Sequence, residues 1–286
     1  MKPLTNILAN SRLRLLLMSL ALGMGTSTFA QDKFGLWTEA GFDKAISKKV
    51  SFGMDLGFRA NDNVGEASRF DLGAGFTYKP VRGLKFGLGY VLIDQHNPRE
   101  VKAHFNSSGN WNGFNVDHDF WRLKNRFYFD ATGKLDIGRF SFSLRERYQA
   151  TVYNAKHVDR DKYRGIVTED YDGEKIYGEY DGTGRWYALD ENDDDYKEAK
   201  TKQYLRSRLG VEWNIRHCNV DPFATFEVSN NLTEGFSLDK KRLTAGVDWK
   251  LNKQHTITAA YVYTSGDDDD DEGNLHALSI SYKFKF

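Results

Sequence analysis

The chain has 286 residues, 40 Lys and Arg against 40 Asp and Glu, one Cys, and 14% aromatic side chains at a mean hydropathy of −0.62. So many aromatics exclude a disordered low-complexity chain, one Cys excludes a disulfide framework or a Cys-rich zinc site, and a neutral total gives no bulk affinity for nucleic acid. No stretch after residue 30 approaches the ~20 apolar residues of a membrane helix.

The first thirty residues read as an address. Lys2, Arg12 and Arg14 form a positive start, 13–24 supply a short apolar core, and Thr28-Phe29-Ala30 is a small-x-small cleavage site. That order describes a secretory signal peptide over 1–30, and its removal leaves 31–286 net acidic.

From there the chain repeats with a period of two. Val50, Phe52, Met54, Leu56 and Phe58 alternate with Ser51, Gly53, Asp55, Gly57 and Arg59. Successive side chains of a strand face opposite ways, so this is a strand with one apolar face. The pattern returns at 70–78, 84–92, 121–129, 140–148, 205–215, 243–249, 257–263 and 278–286, with weaker runs at 34–46 and 222–229. The joints alternate between short (47–49, 79–83, 132–138, 216–221, 250–254) and long (60–68, 94–117, 155–200, 230–239, 265–275).

Strict alternation of short and long joints predicts an all-β, antiparallel transmembrane β-barrel of the bacterial outer membrane, with short periplasmic turns and long extracellular loops. A soluble sandwich or lipocalin-like barrel is the competing reading. Eleven runs are visible, but bacterial single-chain barrels normally have an even number. The expectation is therefore about 12 strands, with 10 as the alternative.

Several motifs then fall in order. They are Trp37, Arg59, Gly87-Leu88-Gly89-Tyr90, the Arg122/Lys124/Arg126 strand, Arg145-Glu146-Arg147-Tyr148, and Leu205-Arg206-Ser207-Arg208-Leu209. Pro222-Phe223 with Glu227, then Arg242 and Gly246, complete them. Across nearly the whole exported chain, the order resembles a family of small Gram-negative outer-membrane barrels that carries only a domain-of-unknown-function label. The resemblance implies the fold and the location, and it lends no substrate and no catalytic residue.

With the apolar parity on lipid, the opposite parity lines the lumen. It supplies a basic wall of Arg122, Lys124, Arg126, Arg145, Arg147, Arg206 and Arg208, and acids at Glu39, Asp55, Asp71, Glu212, Glu227 and Asp248. Ladders of Arg and Lys select anions in pores, so the first functional reading is a narrow channel for small anionic or saccharide solutes. It resembles, distantly, the small porins that admit acidic oligosaccharides. The alternative is a closed barrel, its Arg and carboxylates cross-linked, with a structural or surface-ligand-binding role.

A lipid-modifying enzyme is the third reading. Such an enzyme needs a Ser activated by a His that a third polar group holds. His96, His104, His118, His157, His217, His255 and His276 are scattered, and His104-Phe105-Asn106-Ser107 lacks a His-x-Ser spacing. No enzyme and no cofactor are expected.

The 155–200 loop carries two Asp-Gly turn signals, Asp172-Gly173 and Asp181-Gly182, which predict a β-ribbon of its own. Its Tyr177, Tyr180, Trp186 and Tyr187 suit sugar stacking, an inward-folded plug, or packing of the loop. Asp268, Asp270 and Glu272 imitate the start of a calcium loop but lack the closing Glu, so they are weak surface candidates for a divalent cation and no dedicated metal site is expected. The expected partners are outer-membrane lipid and lipopolysaccharide, with small anionic solutes or sugars and no nucleic acid.

Overall fold

A computed structural model describes residues 33–61, 63–266 and 274–286. The leader read at 1–30 and the acids Asp268, Asp270 and Glu272 lie outside the described residues. In chain order the strands are β1 (Lys33–Ala45), β2 (Val50–Asn61), β3 (Glu66–Tyr78), β4 (Leu84–Asn97), β5 (Glu100–Phe105), β6 (Trp111–Asp117), β7 (Phe120–Ile137) and β8 (Phe140–Tyr153). They continue with β9 (Lys156–Val167), β10 (Lys175–Tyr177), β11 (Trp186–Lys197), β12 (Lys200–Trp213), β13 (Val220–Asn231), β14 (Ser237–Lys250), β15 (His255–Gly266) and β16 (Leu275–Lys285).

Eleven of these strands close a barrel in the order β1-β16-β15-β14-β13-β12-β8-β7-β4-β3-β2. The expected count of about 12, or 10, is therefore corrected. Odd closure is possible because β1 and β16 run in the same direction, from the long-loop end to the short-turn end. Their seam is parallel: the Phe286 N–H donates to the Asp43 carbonyl at 2.7 Å, and the Ala45 N–H donates to the Phe286 carbonyl at 3.2 Å. The other barrel neighbours pair antiparallel.

The two parities separate as the alternation requires. Leu56, Leu88 and Leu209 point outward and are 60%, 62% and 59% exposed. Rings pair across strands on the same outer face, with Phe52 5.2 Å from Phe76 and Tyr90 5.2 Å from Phe127; such cross-strand pairs are worth ~0.2–1 kcal/mol each. One joint was misplaced. β7 runs on to Ile137, so most of 132–138 is strand and only Gly138 (φ 62°) and Arg139 turn the chain. Leu135 and Ile137 keep the outward parity, but Gly133 interrupts the pattern that would have shown it.

The long joints fold as well. The 94–117 segment forms the β5–β6 hairpin, and 155–200 forms β9, β10 and β11, together a five-stranded sheet in the order β10-β11-β9-β6-β5. The predicted ribbon is present, with both Asp-Gly pairs in its connections; Gly182 has φ 73°. Phe114, Val116, Tyr163, Ile176 and Tyr187 make a separate apolar core there.

Candidate functional site

The lumen is built in layers. Nearest the long loops, each of the eleven barrel strands contributes an inward side chain no more than 9% exposed. These range from Trp37 on β1, Ile93 on β4 and Lys124 on β7 to Asn231 on β13, Thr264 on β15 and Leu275 on β16. Together they form a ring of buried inward side chains.

The seven cations of the expected basic wall lie on β7, β8 and β12, and most of them are committed. Arg122 donates to the carbonyls of Asn154 (2.8 Å) and Glu198 (2.7 Å), Lys124 to Gln95 Oε1 (2.8 Å), and Arg126 to Thr151 Oγ1 (3.0 Å). Lys124 also lies 4.3 Å from the Tyr153 ring. In the β8–β12 register Arg145 faces Arg208 and Arg147 faces Arg206. Like charges directly opposite repel, so each pair needs an acid.

Glu227 supplies one. Its Oε1 accepts from Arg206 Nε (3.1 Å) and Nη2 (2.5 Å), and its Oε2 accepts from Arg145 Nη2 (2.5 Å). Arg242 Nη1 stands 3.6 Å from Oε1. Asp130 supplies the other, accepting from Arg147 Nε (3.2 Å) and Nη2 (2.5 Å), while the guanidinium lies 4.0 Å from the Tyr128 ring. Gly89 makes this possible, because a Cβ there would stand 2.4 Å from the Tyr128 hydroxyl. Asp130, absent from the sequence-read set, shares the parity of Arg126. Following β7 past residue 129 would have found it.

Residues 34–274 match the profile of a family described as a protein of unknown function, DUF2490. The chain belongs to that family. No curated protein matches it. The match spans every strand of this DUF2490 barrel except β16, of which it takes no more than the approach.

The acids divide between two places. Glu39, Asp55 and Asp71 stand together on β1, β2 and β3 of the DUF2490 barrel. The row Glu39–Gly57–Asp71 passes over a glycine, and Asp71 accepts from Arg69 Nε at 2.6 Å. Glu212 and Asp248 lie at the short-turn end, bound by Lys134 Nζ (3.1 Å) and the Thr258 hydroxyl (2.5 Å). Arg208 differs from the rest of the basic wall: among the described residues no hydrogen bond or ion pair holds it, and it is half-buried beside a cavity of about 270 Å³.

On the outer sheet of this DUF2490 protein, Asp117 gathers Arg160 (2.5 Å), Lys197 (2.9 Å) and Lys102 (3.2 Å). Burial alone would raise its carboxyl, but the hydrogen bonds from those three cations prevail and hold it well below the usual carboxylate range. The loop aromatics split in role. Tyr187 is buried in the sheet's core, whereas Tyr177 is exposed 4.8 Å from Trp186, with Lys175 Nζ 4.9 Å from the indole. Of the histidines, His96 lies between Glu66 (3.1 Å) and Asp119 (3.2 Å), a ring held by two carboxylates.

Proposed function

We propose that this DUF2490 chain is an exported outer-membrane barrel that is closed to through-flow, anchoring a structured sheet that contacts ligands at the cell surface. The filled layer drawn from all eleven strands carries the closed half of this reading, since a conducting lumen would leave those side chains wetted. The apolar outward parity supports the membrane half. Any other barrel exposing so many large apolar side chains to water would associate. The exposed Tyr177–Trp186 pair, flanked by Lys175, suits the faces and hydroxyls of a sugar and supports the surface-ligand half.

The narrow anion channel would need a path past Ile93, Lys124 and Asn231, all of which are buried. Lipid and lipopolysaccharide are the neighbours this reading implies. It contains no catalytic step.

Two measurements test it. Purified protein should require detergent and migrate differently on gels before and after boiling; recovery as a detergent-free soluble monomer would overturn the membrane half. In planar bilayers the inserted protein should give no stepwise current. Steady ohmic steps would restore the channel.

A further inference from the structure

The closed layer occupies only the long-loop half of the lumen. Below it a cavity of about 270 Å³ is lined by residues of β7, β8, β12, β13 and β14, among them Lys134, Ser143, Arg208, Glu212 and Thr225. It exists because of Gly210. In register Gly210 lies between Ser143 and Thr225, and a Cβ there would meet the Ser143 hydroxyl at 2.7 Å and Thr225 Cγ2 at 3.3 Å. A side chain in that place would fill the space.

Arg208 stands one inward position above this glycine. Glu227, directly opposite it on β13, has both oxygens occupied by Arg206 and Arg145. Arg208 is thus held inside the barrel by the fold while its own donors stay uncommitted among the described residues. A guanidinium presents a planar fork that matches a carboxylate or phosphate in two parallel hydrogen bonds. The Ser143 and Thr225 hydroxyls flank it, and the Glu212 and Asp248 carboxylates, each with acceptor capacity left, suit hydroxyl donors farther out.

We propose that the short-turn half of the lumen is a binding site for one small oxyanion, a carboxylate or phosphate borne on a hydroxylated body, with Arg208 as its anion-binding group. The volume lies just below the usual range for ligand pockets, ~300–1,000 Å³, so it takes a single small ring or acid and no polymer. The site lies toward the short turns, apart from the outer sheet.

Isothermal titration calorimetry on the full protein in detergent tests this, with inorganic phosphate, glucose 6-phosphate, glucuronate and neutral glucose as probes. Saturable binding of an anionic probe is expected, weakened by added salt, and the phosphate and glucuronate arms decide which oxyanion is preferred. Arg208→Gln should weaken it about tenfold or more. Ser143→Leu, which fills the cavity without changing charge, should do the same, and it decides alone if Arg208→Gln loses the gel shift of the folded barrel. Equal affinity in both folded variants, equal affinity for glucose, or no binding overturns the site. A barrel that conducts yet binds in this way would sink the closed-barrel reading and leave the site standing.

Discussion

The barrel and the outer sheet use the same period of two with the faces exchanged. In the barrel Leu209 and its outward neighbours are exposed, and charge is folded inside around Glu227 and Asp130. In the sheet Phe114, Val116 and Tyr187 are inside, and β9 and β11 carry Lys162, Glu191 and Asp193 on the outside. Alternation alone gives the strand; which face is turned outward reports the solvent. On the proposed outer-membrane reading one chain carries segments written for two solvents, and each change occurs within a few residues, as after Tyr153, where β8 leaves the barrel and β9 begins.

The sharpest way to break that contrast is at Glu227. Glu227→Gln would leave Arg145, Arg206 and Arg242 crowded without their shared acid, a loss of ~3–5 kcal/mol for a broken buried pair. Urea unfolding in lipid vesicles should show it, and an unchanged midpoint would mean the inner charges are solvated. Next in size is the outer face: Leu209→Arg should cost ~2–4 kcal/mol, the range for a cation on a barrel's lipid side, while Arg208→Ser is mild for insertion. Equal small effects at both positions would remove the distinction between faces.

The smallest effect belongs to the sheet. Asp117→Asn should loosen it by ~1.5–3 kcal/mol, the range for hydrogen bonds to a charged group, with the barrel's gel shift kept. The carboxyl is depressed in the folded state, so its contribution is complete above the unfolded value of ~3.9 and is lost as pH falls below it. Proteolysis of the 100–117 and 156–197 segments should therefore rise below about pH 4 before the barrel yields. Simultaneous loss of both would show that the two regions are not separate in stability.

Most barrel strands were legible because each apolar residue sits two from the next, as at Val50 to Phe58. The lumen set was legible for the same reason: once one face is known, the other follows. What escaped was long-range. The partner that neutralises Arg147 is Asp130, on a neighbouring strand whose end Gly133 disguised. The two Asp-Gly signals announce a ribbon in 155–200, but the acids of β11 between Asp190 and Asp195 match no apolar period; Arg160 and Lys162 meet them across the register from β9, and Lys197 from within β11. Nothing local in 34–46 tells whether its neighbour lies parallel or antiparallel.

That parallel seam has a consequence for assembly. Every other barrel neighbour can form from segments already adjacent or joined through a folded loop, but β1 must wait for β16, the barrel strand farthest from it in the chain. Closing so wide a loop is slow, and parallel pairing is slightly weaker per residue than antiparallel. Without that seam β1 and β16 would each present a bare edge, and the hydrogen bonds of Phe286 with Asp43 and Ala45 are the latch that covers them. Whatever shields those edges until the latch closes governs whether the chain becomes a barrel or an aggregate.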